Sequence, residues 1–186
     1  FCWEAMSIAS FLLVLLDARQ TKVRHAALRY VLQMHLGAVG ILVAIGLVSV
    51  SMGGVSFAHV HEYAATHPAW MVLLPLGVAF AMKAGLFPLH SWLPETHAAA
   101  PSHVSGLMSG VMIKLGVYGL IRFGLLLGPS MELGSVLLVL GMITALFGIA
   151  NAITQRDIKR LLAYSSVENM GLIVMSVGMA FIARSI

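Results

Sequence analysis

A single cysteine, Cys2, stands among the 186 residues. It excludes an intramolecular disulfide and any zinc or iron–sulfur site built on clustered thiolates, and no cofactor or metal is expected in this chain. Charge is scarce as well. Only 10% of the residues are Asp, Glu, Lys or Arg, against about a quarter in soluble domains. With 60% hydrophobic residues, the expected solvent is the lipid bilayer. A secretory signal is missing too: Phe1 lies inside an apolar run and no initiator Met precedes it, so the chain reads as an internal segment of a longer protein. The net charge of +4 comes from cations gathered in two short stretches. Membrane topology explains that clustering better than nucleic acid does, and no nucleic-acid partner is expected.

What is there is a series of apolar runs. Residues 1–16 read as most of one spanning helix carrying Glu4. Residues 17–29 read as a loop with Arg19, Lys22, Arg24 and Arg29, which the positive-inside rule places in the cytoplasm. A second helix is predicted from about Tyr30 to Val50, with Gln33 and His35 near its start. The Gly- and His-bearing stretch at 51–69 has no Lys or Arg and is expected to face the other side. A third span, residues 70–103, is discontinuous: Gly85, Pro88, Pro94 and Pro101 free backbone groups at a depth where lipid cannot satisfy them. A fourth helix runs from about His103 to Leu127 and a fifth from about Ser135 to Ile153. The cations Arg156, Lys159 and Arg160 then mark a second cytoplasmic loop at 154–160, and a sixth helix runs from about Leu161 to Ile182. Parity supports the count, because two loops on one side require an even number of crossings between them, and that holds only if residues 70–103 cross once. Gly106 and Gly110, then Gly116 and Gly119, offer small faces for close helix packing. The fold class is therefore all-α: a polytopic membrane helix bundle of about six transmembrane helices, one of them discontinuous.

Ionisable residues inside the spans are the candidates for function. Lys83 lies about 13 residues past Trp70, or roughly 20 Å at ~1.5 Å per residue, near a bilayer midplane. Lys114 lies ~16 Å into its helix by the same measure. An isolated charge costs about 2.5 to 3.5 kcal/mol on insertion scales, so such residues pair or are hydrated, and a connected row of acids and bases does both. Snorkelling is the bland alternative for the two lysines, and midplane depth makes it difficult. Glu4 has the bland reading of a helix-end acid, and Glu168 that of a helix-start cap bonded to Ser165, Ser166 or Asn169. His35 reads as a hydrogen-bonded interior residue or as a relay. His90, His97 and His103 bracket the proline-rich half of the broken span, where they carry protons to the inside surface or bond carbonyls left by the prolines; both readings stand. His59, His61 and His67 lack a metal-site pattern and sit in a solvent stretch. Arg122 reaches the outer headgroups by snorkelling.

Three segments carry a resemblance: WEAMS around Glu4, AMKAGLFPLHSWLPETHAAAPSHVSGLMSGVMIKLGVYGLIRF from Ala81 to Phe123, and RDIKRLLAYSSVENMG from Arg156 to Gly171. They resemble the proton-conducting antiporter-like membrane subunits shared by respiratory complex I, Mrp-type cation/proton antiporters and membrane-bound hydrogenases. The wording is most similar to the hydrogenase-4 component B and formate hydrogenlyase branch. The resemblance implies two inverted five-helix repeats, each with a discontinuous helix, within a single membrane domain over 1–186. Residues 1–127 would form most of the first repeat and 133–186 the start of the second. It also implies roles: Glu4 matches the family's glutamate on the fifth helix, Lys83 the lysine on the broken seventh, and Lys114 the lysine on the eighth. Glu168 matches the hydrogenlyase-type pattern without an assigned role.

The function implied is a proton-translocating membrane subunit of a redox-driven respiratory or hydrogenase complex in the cell inner (plasma) membrane. Its partners would be the bilayer and other membrane and peripheral subunits, and the subunit itself would catalyse no bond chemistry. A complex I or Mrp-type subunit is the nearest alternative. A passive anchor and a haem- or metal-bearing membrane protein are alternatives of another class; the first needs no midplane lysines and the second needs histidines facing one another within the spans.

Overall fold

Apolar helices form wherever the chain would otherwise leave backbone groups unpaired in lipid. The computed structural model describes residues 2–186; Phe1 and the side chain of Asp17, both included in the sequence reading above, lie outside what is described. Nine α-helices and no strands are found among the described residues: α1 (Cys2–Val14), α2 (Thr21–Met52), α3 (Phe57–Thr66), α4 (Trp70–Ala84), α5 (Trp92–Ala99), α6 (Ser102–Leu107), α7 (Ile113–Leu126), α8 (Met131–Thr154) and α9 (Ile158–Ser185). A π-helical segment, Met108–Met112, joins α6 to α7, so Ser102–Leu126 runs as one span. Four helices are long and apolar enough to cross a membrane, and α1 and α4 are shorter apolar helices. The chain is an all-α polytopic membrane helix bundle.

The broken span is a single crossing, as parity requires. At ~22 Å, α4 falls short of a ~30 Å hydrocarbon core, and α5 adds ~12 Å. The two trace α2 antiparallel along its length. Cβ atoms on Gly40 and Gly37 would meet the carbonyls of Pro75 at 2.7 Å and Ala79 at 3.6 Å. Further along, Ser91 accepts from Gln33 Nε2 at 2.9 Å, the Trp92 ring packs 5.1 Å from Tyr30, and Glu95 pairs with Arg29. Both basic segments line one cavity, so they share an end of the bundle. At the opposite end α3 docks on α7, His61 Nδ1 lying 3.0 Å from the Leu126 carbonyl.

Several boundaries differ from the sequence reading. Residues 21–29 are not a loop: α2 begins at Thr21, because Lys, Arg and Ala in KVRHAALR are good helix formers and the helix, ~48 Å long, simply projects beyond the membrane. The stretch 51–69 holds α3, capped reciprocally by Ser56 and His59 and burying Val60 and Tyr63 on one face. α8 starts at Met131, where Ser130 Oγ accepts from Leu133 N. α9 starts at Ile158, where the Asp157 carboxylate accepts from the Lys159 and Arg160 amides. Among the described residues no atom lies within 4 Å of a Cβ added at Gly106 or Gly110. Gly116 does make a close contact, since a Cβ there would come within 2.6 Å of the Phe80 carbonyl, and Gly119 lies against the Phe80 ring. The tightest helix pair is α8 with α9. Gly134, Gly141 and Gly148 on one face Gly178, Gly171 and the backbone of Glu168 on the other, a seven-residue spacing that keeps one seam in register along both helices.

Candidate functional site

The end of α4 creates the site. Gly85 takes a left-handed conformation at φ 70, its amide donates to the Met82 carbonyl and the Leu86 amide to that of Ala81, which closes the helix in a Schellman arrangement. Trp92 Nε1 donates to the same Met82 carbonyl at 2.9 Å. The Phe87 amide, freed by the break, donates to Thr144 Oγ1 on α8 at 3.1 Å. These donors allow a span to stop at membrane depth without orphaned backbone.

Lys83 lies in the last turn of α4, where the carbonyl end of a helix favours a cation. Its side chain is fully buried. Nζ donates to Ser7 Oγ at 3.0 Å and stands 4.5 Å from the centre of the Trp3 ring. Ser7 in turn donates to the Trp3 carbonyl at 2.8 Å. An ammonium has three donors, and among the described residues only this one acceptor meets it. Snorkelling is thus not what Lys83 does: its ammonium stays inside the bundle. Glu4 is near enough to act on it through space but forms no direct ion pair with it. Glu4 Oε2 instead approaches His35 Nε2 at 3.4 Å, while Oε1 is buried without a partner. His35 Nδ1 lies 2.9 Å from the Val31 carbonyl, which leaves Nε2 as the ring nitrogen that faces Glu4. The buried Tyr30 hydroxyl faces those of Ser7 and Ser10 without a well-formed hydrogen bond to either.

The other residues singled out from sequence are dispersed. Lys114 is exposed at the start of α7, directly after the π-helical segment, and has no hydrogen-bond partner among the described residues. It opens on a groove of about 380 Å³ with Ser109, Ser166 and Asn169. Met112, two residues earlier, accepts from Ser10 on α1, so Lys114 leaves α7 on the side away from Lys83. Glu168 sits ten residues into α9 against Gly148. It is not a helix-start cap, because Asp157 fills that place and Asn169 and Ser166 bond backbone carbonyls one turn back. His90 is buried between Phe87 and Phe147, its Nδ1 without a partner. His97 Nδ1 lies 2.6 Å from Ser105 Oγ and its buried Nε2 has no partner. His103 is exposed. None of the three donates to a carbonyl freed by the prolines; side-chain donors reach instead the carbonyls at the ends of α4 and α5, Trp92 that of Met82 and Lys159 that of Ala100, both at 2.9 Å.

Sequence reasoning missed Ser7, Tyr30, Trp92 and Thr144. Ser7 had a signal, standing one helical turn from Glu4 and Trp3 on the same face.

A discontinuous apolar helix ending at a buried lysine, inside a polytopic bundle, defines an intramembrane polar site of the kind found in ion-translocating membrane proteins. The comparisons make the class specific. Residues 1–185 match the family model described as "NADH:quinone oxidoreductase/Mrp antiporter, TM", and the chain belongs to that family of antiporter-like membrane subunits. It is 40% identical to hydrogenase-4 component B of Escherichia coli over 99% of this chain and 28% of the relative. It is 35% identical to NADH-quinone oxidoreductase subunit M of Pseudomonas aeruginosa over 95% of this chain and 38% of the relative. Among solved structures it is similar to a chain of the membrane-bound sulfane sulfur reductase, an archaeal respiratory membrane complex, with TM-score 0.81, 26% identity, and coverage of 95% of this chain and 37% of that one. The chain thus spans about a third of the length of these relatives.

Proposed function

We propose that this segment is part of the proton path of a membrane subunit in a redox-driven respiratory or hydrogenase complex of the cell inner membrane, with segments 17–29 and 154–160 on the cytoplasmic side. The relatives named as hydrogenase and quinone oxidoreductase subunits support that setting. Residues 1–127 contribute most of one inverted repeat and 133–186 the start of another. The observation that carries the reading is the ammonium of Lys83, fully buried at a helix break and held by one serine hydroxyl. Packing alone would fill that place with an apolar side chain, because a buried charge is costly and such a substitution is commonly neutral or stabilising.

Glu4 with His35 sits to one side of Lys83 and exchanges protons with it. Lys114, on the other side of α7, receives the proton that Lys83 gives up, and Glu168 lies beyond it on α9. His90, His97 and His103 join the row to the cytoplasmic end through the broken span. Unpartnered buried atoms at Glu4, Tyr30, His90 and His97 support a hydrated seam, since ordered water is the usual partner of such groups. A proton suits this site better than sodium does: hard cations take several oxygen ligands, whereas the Lys83 ammonium is surrounded by an indole face, isolated hydroxyls and the single nearby carboxylate of Glu4. The test is Lys83→Met in the full-length subunit within its assembled complex, with proton uptake followed in inverted membrane vesicles. Coupled proton movement is expected to fall to background while the complex stays assembled. Undiminished pumping would leave the subunit as a passive anchor.

A further inference from the structure

We propose that the cavity between the ends of α2, α5 and α9 holds the phosphate of an anionic phospholipid. The cavity measures about 760 Å³, within the range of ligand sites. Its acids are already engaged: Glu95 pairs with Arg29, and the Asp157 carboxylate accepts from two amides at the start of α9. Lys22, Arg156 and Arg160 line the same cavity and have no acidic or hydrogen-bonding side-chain partner among the described residues. Three cations without a side-chain partner, from α2, from α9 and from the turn before α9, thus converge on one space, with Ala98 and Ala99 of α5 beside them. Brought together in this way they suit an oxyanion that several donors grip at once.

The rest of the surface says that the oxyanion belongs to a lipid. On α2 the stripe through Lys22, Ala26 and Arg29 continues towards the membrane into Leu32 and Leu36, which are 64% and 62% exposed. On α9 the exposed Leu161 directly follows Arg160. Cations at the level of the headgroups, with leucines one or two turns deeper that no described residue covers, match a molecule whose phosphate and acyl chains are joined. Basic pockets between spans on the cytoplasmic side take such headgroups. This inference rests on the proposed cytoplasmic placement of the two basic segments and does not depend on the proton path.

The full-length subunit, placed in nanodiscs of phosphatidylcholine, is titrated with spin-labelled phosphatidylglycerol, and the immobilised fraction is compared with that of spin-labelled phosphatidylcholine. Each of Lys22→Ala, Arg156→Ala and Arg160→Ala is expected to lower the preference for phosphatidylglycerol roughly fivefold. Arg156→Lys with Arg160→Lys is expected to retain most of it, which separates loss of charge from loss of fold. Arg19→Ala, a cation of the same segment that does not line the cavity, is expected to change it less than about twofold, because exposed charges outside the site are screened. Equal losses in Arg19→Ala would overturn the proposal in favour of general surface attraction. So would displacement of the lipid by millimolar inorganic phosphate, which would mark a free-anion site. A preference that the three substitutions leave unchanged while a peripheral subunit dissociates from the complex would assign the cavity to an acidic protein segment and also overturn it.

Discussion

Both halves of the chain pack helices closely at glycines, Gly40 and Gly116 in one and Gly141 and Gly171 in the other, but they differ in what else they bury. Around α1, α2, α4 and α5 the span is broken, a lysine is buried, and several polar atoms lack protein partners. The α8/α9 hairpin is unbroken, and its glycines let backbones touch over its whole length. Close glycine packing gives stability without polar groups; the first region accepts costly groups that packing does not require. On the proposed reading, that contrast puts the Lys83 end of the proton path in the first region and rigidity in the second. Thr144 is where they meet, because α8 supplies the hydroxyl that satisfies the broken span at Phe87.

Substitutions should therefore separate transport from stability. Lys83→Met is expected to give the largest effect, abolishing proton translocation while leaving thermal stability unchanged or raised. A large drop in melting temperature in detergent would mean instead that Lys83 is structural. The reverse pattern is expected for Gly171→Val. Its Cβ would press on the backbone of Ala145 and the Gly141 carbonyl, neither of which can turn aside as a side chain does, so a loss of about 1–3 kcal/mol or more is expected on denaturant titration. Transport per folded molecule should be retained. Thr144→Val should fall between them. It leaves the Phe87 amide unpaired at a cost of about 1–3 kcal/mol and, because that amide belongs to the break, it should lower transport as well.

Much of this division was legible in the sequence. The six apolar runs, the single broken crossing and the shared side of the two basic segments follow from hydropathy, proline placement and parity, and Lys83 stands out because nothing near it in sequence explains its charge. Tertiary contacts hid the rest. Thr144 reads as a threonine bonding back one turn, which it also does, to the Leu140 carbonyl at 2.7 Å; its second bond exists only because α8 passes the break. Tyr30 sits where a basic stretch turns apolar and looks like an interfacial anchor, yet it is fully buried against Trp92. The glycine seam is hidden because α8 and α9 space their glycines by seven residues, wider than the short-spaced pairs of the fourth span. Where spacing of four does occur, at Gly106 and Gly110, no neighbour is close.

That last pair gives the smallest effect and tests whether spacing or contact decides a glycine's role. Gly106 has nothing within 4 Å of an added Cβ, so Gly106→Ala creates no clash and restricts the backbone of the unfolded chain. A gain of about 0.5–1 kcal/mol is expected, read as a modest rise in the thermal midpoint with transport unchanged. In Gly171 the same small residue is held by backbone on the facing helix, and Gly171→Ala should lower the midpoint. If the two alanine variants shift it in the same direction, local helix propensity rather than close approach accounts for the glycines of the hairpin, and the contrast between the two halves loses its structural basis.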